Sequence, residues 1–192
     1  MPKIGMEPIR RSALVKATIA EIGEAGSLDV TVSQIARRAG MSSALAHHYF
    51  GSKDQMLVAA MRHILTIFGA EVRGALVMAQ TPQARVEAIL RASFSAQNFR
   101  PETVAAWLNF YVQAQQADQV RRLLTVYRRR LHSNLLYGLR PLVDTPEETA
   151  EVIGALIDGV YIRQALRHGA MSHEAAIELV LTQVRRLIGA PG

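Results

Sequence analysis

The stretch TVSQIARRAGMSSALAHHYFGSK at residues 31–53 predicts two short helices joined by a tight turn. Thr31 is a favourable N-cap, and Gln34, three residues later, can complete a capping box. Gly40 suits the left-handed conformation that ends a helix, because glycine has no Cβ to clash with the backbone. Ser42 can then cap the second helix. Two helices joined by a short glycine turn are typical of a helix-turn-helix, whose second helix enters the major groove of DNA.

The second helix of this pair is short and carries no Lys, Arg, Asp or Glu. Its predicted outer face offers small and hydrogen-bonding groups, namely Ser43, Ala44, His47, His48 and Tyr49. An ordinary helical corner is the alternative interpretation, but the flanking basic residues and Lys53 just beyond the helix favour DNA. The two histidines are sequence neighbours that face different directions, so we expect no metal site there.

Composition limits the class of protein and its partners. A chain of 192 residues, of which 49% are hydrophobic, can form one large domain or two small ones. The formal net charge of +6 favours a polyanionic partner, either nucleic acid or an anionic membrane surface. Cysteine is absent, which excludes disulfides and thiolate metal sites and fits a cytoplasmic protein. The sequence has neither a signal peptide nor a run of about 18 apolar residues, so we expect no membrane span.

Capping, proline and glycine signals divide the rest of the chain into further helices. The expected ranges are 8–25, 54–78, 85–97, 101 onward, 119–139, 146–167 and 173–188. Thr81, Thr145 and Ser172 are expected N-caps, and Gly169 is expected to end a helix. The pattern predicts an all-α protein of about nine helices.

The last two predicted helices, 146–167 and 173–188, are apolar on more than one side. Together they have more apolar surface than one core requires. Pairing with a second copy would bury the excess in a four-helix interface. A well-buried helix pair inside a monomer is the alternative, but a small DNA-binding head gains from a two-fold partner on a palindromic site.

The pattern of residues 31–57 resembles the head of TetR-family transcriptional repressors. The shared positions are Thr31, Ile35-Ala36, Ala39-Gly40, Ser42, Tyr49-Phe50 and Lys53. Further along the chain, AWLNFY at 106–111, RRRLHSNL at 128–135 and ALIDGVYIRQAL at 155–166 resemble the choline-responsive repressors of glycine betaine synthesis, the BetI type. This second likeness covers nearly the full chain.

The resemblance implies a homodimer that blocks transcription and leaves its palindromic operator when a small molecule binds. It implies a helix-turn-helix DNA-binding domain in residues 1–53 and an effector-binding and dimerisation domain in residues 54–192. We predict that the helix 54–78, which joins the two, transmits the signal. The implied phosphate contacts are Thr31, Ser42, Tyr49 and Lys53, and the implied base contacts are Ser43, Ala44, His47 and His48. This chain has Ala44-Leu45-Ala46 where the subgroup usually has Gly-Ile-Ile, so its operator sequence is left open.

A choline-like effector is a quaternary ammonium, which aromatic faces and a nearby carboxylate can hold. The candidate residues are Trp107, Phe110, Tyr111, Tyr127, Asp158 and Tyr161. Asp158 is costly to bury unpaired and could balance the charge of the cation, but it could equally pair with Arg163 or with an arginine of a partner chain. Each aromatic residue could also be ordinary core. An unrelated apolar or cationic effector is the alternative.

Two other classes of protein compete with a ligand-controlled repressor. An enzyme on a helical scaffold has little support, because the sequence lacks the metal-binding, phosphate-loop and nucleophile motifs that would carry catalysis. We therefore expect no catalytic residue, cofactor or metal. A constitutive DNA-binding protein would share the head but would not need a ligand pocket.

Overall fold

A computed structural model of the chain describes residues 5–166 and 171–189. Within these residues it is all-α, with nine helices and no strand, as predicted. The helices are α1 (Met6–Ala25), α2 (Val32–Arg38), α3 (Ser43–Phe50), α4 (Lys53–Met78), α5 (Pro82–Ser93), α6 (Pro101–Gln113), α7 (Asp118–Leu139), α8 (Pro146–Ala165) and α9 (His173–Leu187). No helix in the described ranges has the length and apolarity that a membrane crossing needs. The predicted terminator Gly169 lies outside them.

Local capping chemistry sets most of the helix starts. The Thr31 hydroxyl accepts from the Gln34 N–H and the Gln34 side chain accepts from the Thr31 N–H, which completes the predicted capping box. Ser42, Thr81 and Ser172 each cap their helix through the side chain. Gly40 adopts the left-handed conformation, with φ of 69°.

Thr145 is the exception among the predicted caps, because its side chain makes no capping hydrogen bond. Its ψ is 66°, whereas ψ at the four other threonine and serine caps lies between 152° and 158°. This backbone does not place the hydroxyl over the first turn. The carbonyl oxygen of Thr145 instead accepts hydrogen bonds from the N–H and the hydroxyl of Thr149.

Helix α5 ends at Ser93, four residues before the predicted end at Gln97. The segment that follows is held by Asn98, which is buried and donates to the carbonyl oxygen of Ala92 at 2.8 Å and to the carboxylate of Glu71 at 2.6 Å. The Ser95 hydroxyl donates to the same Glu71 oxygen at 2.7 Å. These hydrogen bonds stabilise a turn after Ser93, so the helix does not continue to Gln97.

The chain divides into two compact units. Unit 1 comprises Met1–Ile64 and Pro101–Arg121, and unit 2 comprises Leu65–Arg100 and Arg122–Gly192. Unit 1 therefore contains α6 in addition to the three head helices α1–α3. These units are defined by compactness, and the functional boundary after residue 53 stays a prediction.

The contact between α1 and α6 within unit 1 depends on a glycine. A Cβ added to Gly23 would lie 2.6 Å from the Cα of Glu102, which is closer than side chains pack. The polar side chain of Asn109 also reaches from α6 to the carbonyl oxygen of Gly26 at 3.4 Å. Helix α6 thus packs directly on the head.

Candidate functional site

Helix α3 exposes the face that the sequence predicts. Ala46 is its one fully buried side chain. Ala44, His47 and His48 are exposed, and Ser43 and Tyr49 are half-buried. The small and hydrogen-bonding groups therefore lie at the surface, where they can approach another molecule.

Helix α2 holds the start of α3 in place through side chains. The hydroxyl oxygens of Ser33 and Ser43 lie 3.1 Å apart, which is a hydrogen-bond distance. The Ser42 hydroxyl accepts from the N–H of Leu45 at 3.2 Å. The N-cap Ser42 and the first residue of α3, Ser43, are thus each fixed by a hydrogen bond, the first to α3 itself and the second to α2.

His47 has its ring orientation set by the end of its own helix. Its Nδ1 lies 3.1 Å from the carbonyl oxygen of Gly51. Because a carbonyl oxygen can only accept, the proton of the neutral ring belongs on Nδ1. The Nε2 atom is then left as a hydrogen-bond acceptor on an exposed side chain.

Two arginines of α1 surround Tyr49 at the end of α3. Arg10 donates from Nη1 to the Tyr49 hydroxyl oxygen at 3.3 Å. The Arg11 guanidinium lies 5.6 Å from the centroid of the Tyr49 ring and 5.2 Å from that of Phe50, within cation–π range. Because the Tyr49 hydroxyl accepts from Arg10, its own proton remains available to an incoming acceptor such as a phosphate oxygen.

Lys53 lies in the first turn of α4 and is half-buried. Its Nζ donates to the carbonyl oxygen of Leu28 at 3.0 Å, which fixes the loop before α2. An ammonium has three donors, so this bond leaves capacity for an anion. The helix N-terminus also favours negative charge at this position.

Of the two arginines that end α2, Arg38 pairs with carboxylates of α1. Arg38 is paired with Glu21 at 2.5 Å and with Glu24, both on α1, and these hydrogen bonds raise its pKa above the usual value, Glu21 contributing most. Its charge is therefore balanced within unit 1. Arg37 is exposed beside it.

The six predicted effector residues are divided between the two compact units. Trp107, Phe110 and Tyr111 lie on α6 in unit 1, and Tyr127, Asp158 and Tyr161 lie in unit 2. Phe110 is completely buried and Trp107 nearly so. The rings of Trp107 and Tyr111 lie side by side with centroids 5.9 Å apart.

Tyr161 is built into the core of unit 2. Its hydroxyl donates to the carbonyl oxygen of Ser93 at 2.5 Å and lies 3.3 Å from that of Asn98. Its ring packs on Phe94 and Phe99, with centroids 5.7 and 5.6 Å away. Burial raises the pKa of this phenol well above its usual value. These contacts give the side chain a structural role, whether or not it also touches a ligand.

A cavity of about 300 Å³ lies between α7 and α8 in unit 2. It is lined by Tyr127, Arg128, Leu131, His132 and Leu135 of α7 and by Ala150, Glu151, Gly154, Ala155 and Asp158 of α8. Two of the predicted effector residues, Tyr127 and Asp158, are therefore brought together here. Burial, followed by the Asp158 charge, raises the pKa of the Tyr127 hydroxyl, so the phenol stays protonated.

Asp158 has a cationic neighbour that the sequence did not indicate. Arg128 Nη2 lies 3.7 Å from its Oδ2, whereas the sequence suggested Arg163 or an arginine of a partner chain. The Asp158 side chain is 30% exposed and that of Arg128 is 64% exposed. At the other end of the cavity His132 Nε2 lies 3.6 Å from Glu151 Oε1.

Comparison with known proteins identifies the family to which this chain belongs. The tetR family of bacterial regulatory proteins matches residues 14–60, and the C-terminal part of BetI-type transcriptional repressors matches residues 82–189. The HTH-type transcriptional regulator BetI of Rhizobium meliloti (strain 1021) is 53% identical over 194 residues, which cover 100% of this chain and 96% of that protein. The chain belongs to the TetR family and is a BetI-type transcriptional repressor.

Solved structures agree with the fold of a TetR-family regulator. A transcriptional regulator from Pseudomonas aeruginosa PAO1 superposes with a TM-score of 0.79 at 24% identity, covering 95% of this chain and 91% of that one. A transcriptional regulator from Saccharomonospora viridis, solved in complex with choline, gives a TM-score of 0.78 at 18% identity, covering 92% and 95%. At these identities the likeness concerns the fold.

Membership of the BetI-type repressors confirms the family resemblance seen in the sequence, and the nine helices confirm the all-α fold class, while the site residues stay predictions. Sequence reasoning did not identify Arg10, Arg11 and Ser33 as neighbours of the reading helix. In the sequence, Arg10 and Arg11 are recognisable only as a basic pair in the first helix. Nothing in the sequence indicates that Ser33 contacts Ser43, because that contact depends on how α2 and α3 pack. Nothing in the sequence marks Arg128 as a neighbour of Asp158, and only the pairing of α7 with α8 brings the two together.

Proposed function

We propose that this BetI-type repressor is a homodimer that binds a palindromic operator through α3 of each copy and releases it on binding choline or a related quaternary ammonium. The genes it controls are those of glycine betaine biosynthesis and choline uptake. The protein acts in the cytoplasm as a regulator without catalytic activity. The observation that carries the DNA-binding part is the uncharged, exposed face of α3.

The geometry of the head supports two kinds of DNA contact. Tyr49, with the Arg10 and Arg11 guanidinium groups beside it, and Lys53 offer donors to phosphate oxygens, together with the Thr31 and Ser42 caps. The groups of α3 that face the base edges are Ser43, which is half-buried, and the exposed Ala44, His47 and His48. With its proton on Nδ1, His47 presents an acceptor that suits the amino group of cytosine or adenine.

Exposed apolar side chains on α8 and α9 support the homodimer. Val152 and Ile162 of α8 and Leu179 and Leu187 of α9 are 40–45% exposed. A second copy would bury them in a four-helix interface. The two heads would then match sites about one turn of DNA apart, roughly 34–36 Å.

Choline as the effector is supported by the sequence resemblance to the choline-responsive BetI type and by the choline complex of the Saccharomonospora viridis regulator. A repressor that responds to another apolar or cationic ligand is the second candidate. It is supported by the mixed lining of the α7–α8 cavity, where Tyr127 and His132 supply aromatic rings and Leu131 and Leu135 supply apolar surface.

We propose that α4 transmits the signal, because it runs from Lys53 beside the reading helix to Met78. Release requires that the ligand bind the DNA-incompetent arrangement more tightly, typically by about 1–3 kcal/mol. Spin-label distances between the two heads in solution should change when choline is added. Identical distances with and without an effector that releases DNA would contradict this route.

The experiment is a mobility-shift titration with promoter DNA of the neighbouring genes, with and without choline. Affinity should fall steeply with salt because phosphate contacts release counterions. Lys53→Ala should weaken binding to all sequences at least about tenfold and reduce the salt slope by about one. Arg129→Ala removes a similar charge from the exposed surface of α7 and is the control. Equal effects of the two substitutions would argue against the assigned DNA surface.

A further inference from the structure

The cavity between α7 and α8 combines a carboxylate, a buried aromatic ring and small side chains. Asp158 and Tyr127 line one end of it, and Ala150, Gly154 and Ala155 form part of the α8 wall. A Cβ added to Gly154 would meet no atom within 4 Å, so this wall is open toward the cavity. A cavity of about 300 Å³ is large enough for a molecule of choline size.

Arg128 is the cation that lies nearest to Asp158 along this cavity. The separation of 3.7 Å between Nη2 and Oδ2 is longer than a charge-assisted hydrogen bond. With two-thirds of the Arg128 side chain in solvent, such a pair contributes little free energy. Arg128 thus balances the charge of Asp158 through an interaction that a better-placed cation can replace.

We propose that the α7–α8 cavity is the effector site, that Asp158 is the counter-charge for a small organic cation, and that Arg128 holds the place of this cation until the ligand displaces it. This inference rests on the proposed function, since it assigns a location and a selectivity residue to the effector response. The long side chain of Arg128 swings into solvent on displacement, so no buried charge is left unpaired.

The chemistry of the cavity makes recognition depend mainly on charge. Tyr127 supplies an aromatic ring, and its protonated hydroxyl adds no negative charge. The second carboxylate, Glu151, is 80% exposed and already lies near His132, so it contributes less than Asp158. A cation with a short polar tail fits this arrangement, whereas an uncharged molecule of the same shape gains nothing from Asp158.

The test is calorimetric titration of the full-length protein with choline and with 3,3-dimethylbutanol, its uncharged isostere. Asp158→Asn should weaken choline binding at least about tenfold and bring the two ligands to similar affinity. Arg128→Gln should tighten choline binding about two- to fivefold by removing the competing cation. Arg129→Gln, the same change at the adjacent exposed arginine outside the cavity, should leave choline binding unchanged.

The outcomes separate this inference from the proposed function. If the unsubstituted protein binds choline but Asp158→Asn and Arg128→Gln bind it equally well, the site assignment is overturned and the choline response stands. If the unsubstituted protein does not bind choline, the proposed function fails first. Circular dichroism melting of each variant checks folding, and the gain expected for Arg128→Gln cannot arise from misfolding.

Discussion

Helix α3 and the α7–α8 cavity both present polar groups to an incoming molecule, but they are assembled in different ways. The groups of α3 come from eight consecutive residues, and its caps and turn lie within the adjoining stretch of chain. The cavity brings Arg128 to Asp158 across thirty residues of sequence. The first site is determined by local hydrogen bonding, and the second exists only once two helices have paired.

The largest effect expected from this difference concerns the stability of the two compact units. Ile35 of α2 is fully buried in unit 1, and Ile35→Ala should cost about 2–5 kcal/mol. Hydrogen exchange should show the loss mainly in α1–α3. Ile89→Ala, at an equally buried position of α5 in unit 2, is the matched variant and should loosen α5 and α9 instead. Equal losses of protection throughout the chain for both variants would mean that unit 1 and unit 2 unfold together.

A second prediction tests whether Tyr161 is mainly structural. Tyr161→Phe removes the buried donor to the Ser93 carbonyl and should cost about 1–3 kcal/mol in the free energy of unfolding. Tyr137→Phe changes a tyrosine that is 65% exposed and should change stability by less than about 0.5 kcal/mol. Urea unfolding of both variants provides the measurement. Similar small changes would show that the Tyr161 hydrogen bonds contribute little.

The same contrast explains what the sequence could predict. The helix starts and the turn of α2 and α3 were predicted correctly because each signal acts within four residues: the Thr31 capping box, the left-handed Gly40 and the Ser42 cap. The C-terminal end of α5 and the cap at Thr145 were predicted wrongly. Asn98 reaches Glu71 from 27 residues away, and the backbone at Thr145 takes another conformation. The partner suggested for Asp158 was five residues along the helix, whereas Arg128 lies on a different helix.

The effector residues illustrate the same limit. Aromatic residues at helical spacing identify a buried face but not the neighbour that the face meets. The sequence could not show that Trp107 belongs to the unit that contains the head, or that Phe94 and Phe99 enclose the ring of Tyr161. Placing these residues requires the packing of whole helices.

A third prediction compares one capping bond in two places. Ser42 and Ser172 each accept a backbone N–H at 3.2 Å, from Leu45 and from Ala175 respectively. Replacing either serine by alanine should cost about 1 kcal/mol of stability. Only Ser42→Ala should also weaken operator binding, because Ser42 begins the reading helix and is a predicted phosphate contact. Thermal melts and mobility shifts of the two variants give the comparison, and parallel losses of DNA affinity would remove the distinction between the sites.

The smallest effect concerns acid stability and contrasts two ion pairs. In unit 2, Arg185 donates to both carboxylate oxygens of Glu87 at 3.0 and 3.1 Å, and the Glu87 side chain is only 18% exposed. The hydrogen bond from Arg185 is the main cause that lowers the pKa of Glu87 below 4.5. In unit 1, the pair of Arg38 with Glu24 involves a carboxylate that is 63% exposed.

Because the pKa of Glu87 is lower in the folded than in the unfolded chain, the unfolded chain binds more protons between the two values. The stabilisation is therefore complete above about pH 4.5 and is lost as the pH falls through the folded value. Glu87→Gln should lower stability at pH 7 by up to about 1 kcal/mol and flatten the acid limb of the stability curve. Glu24→Gln should change the stability at pH 7 and the acid limb much less, because solvent screens the exposed pair of Glu24 with Arg38. An acid limb that stays unchanged in Glu87→Gln would show that the carboxylates responsible for acid unfolding lie elsewhere in the chain.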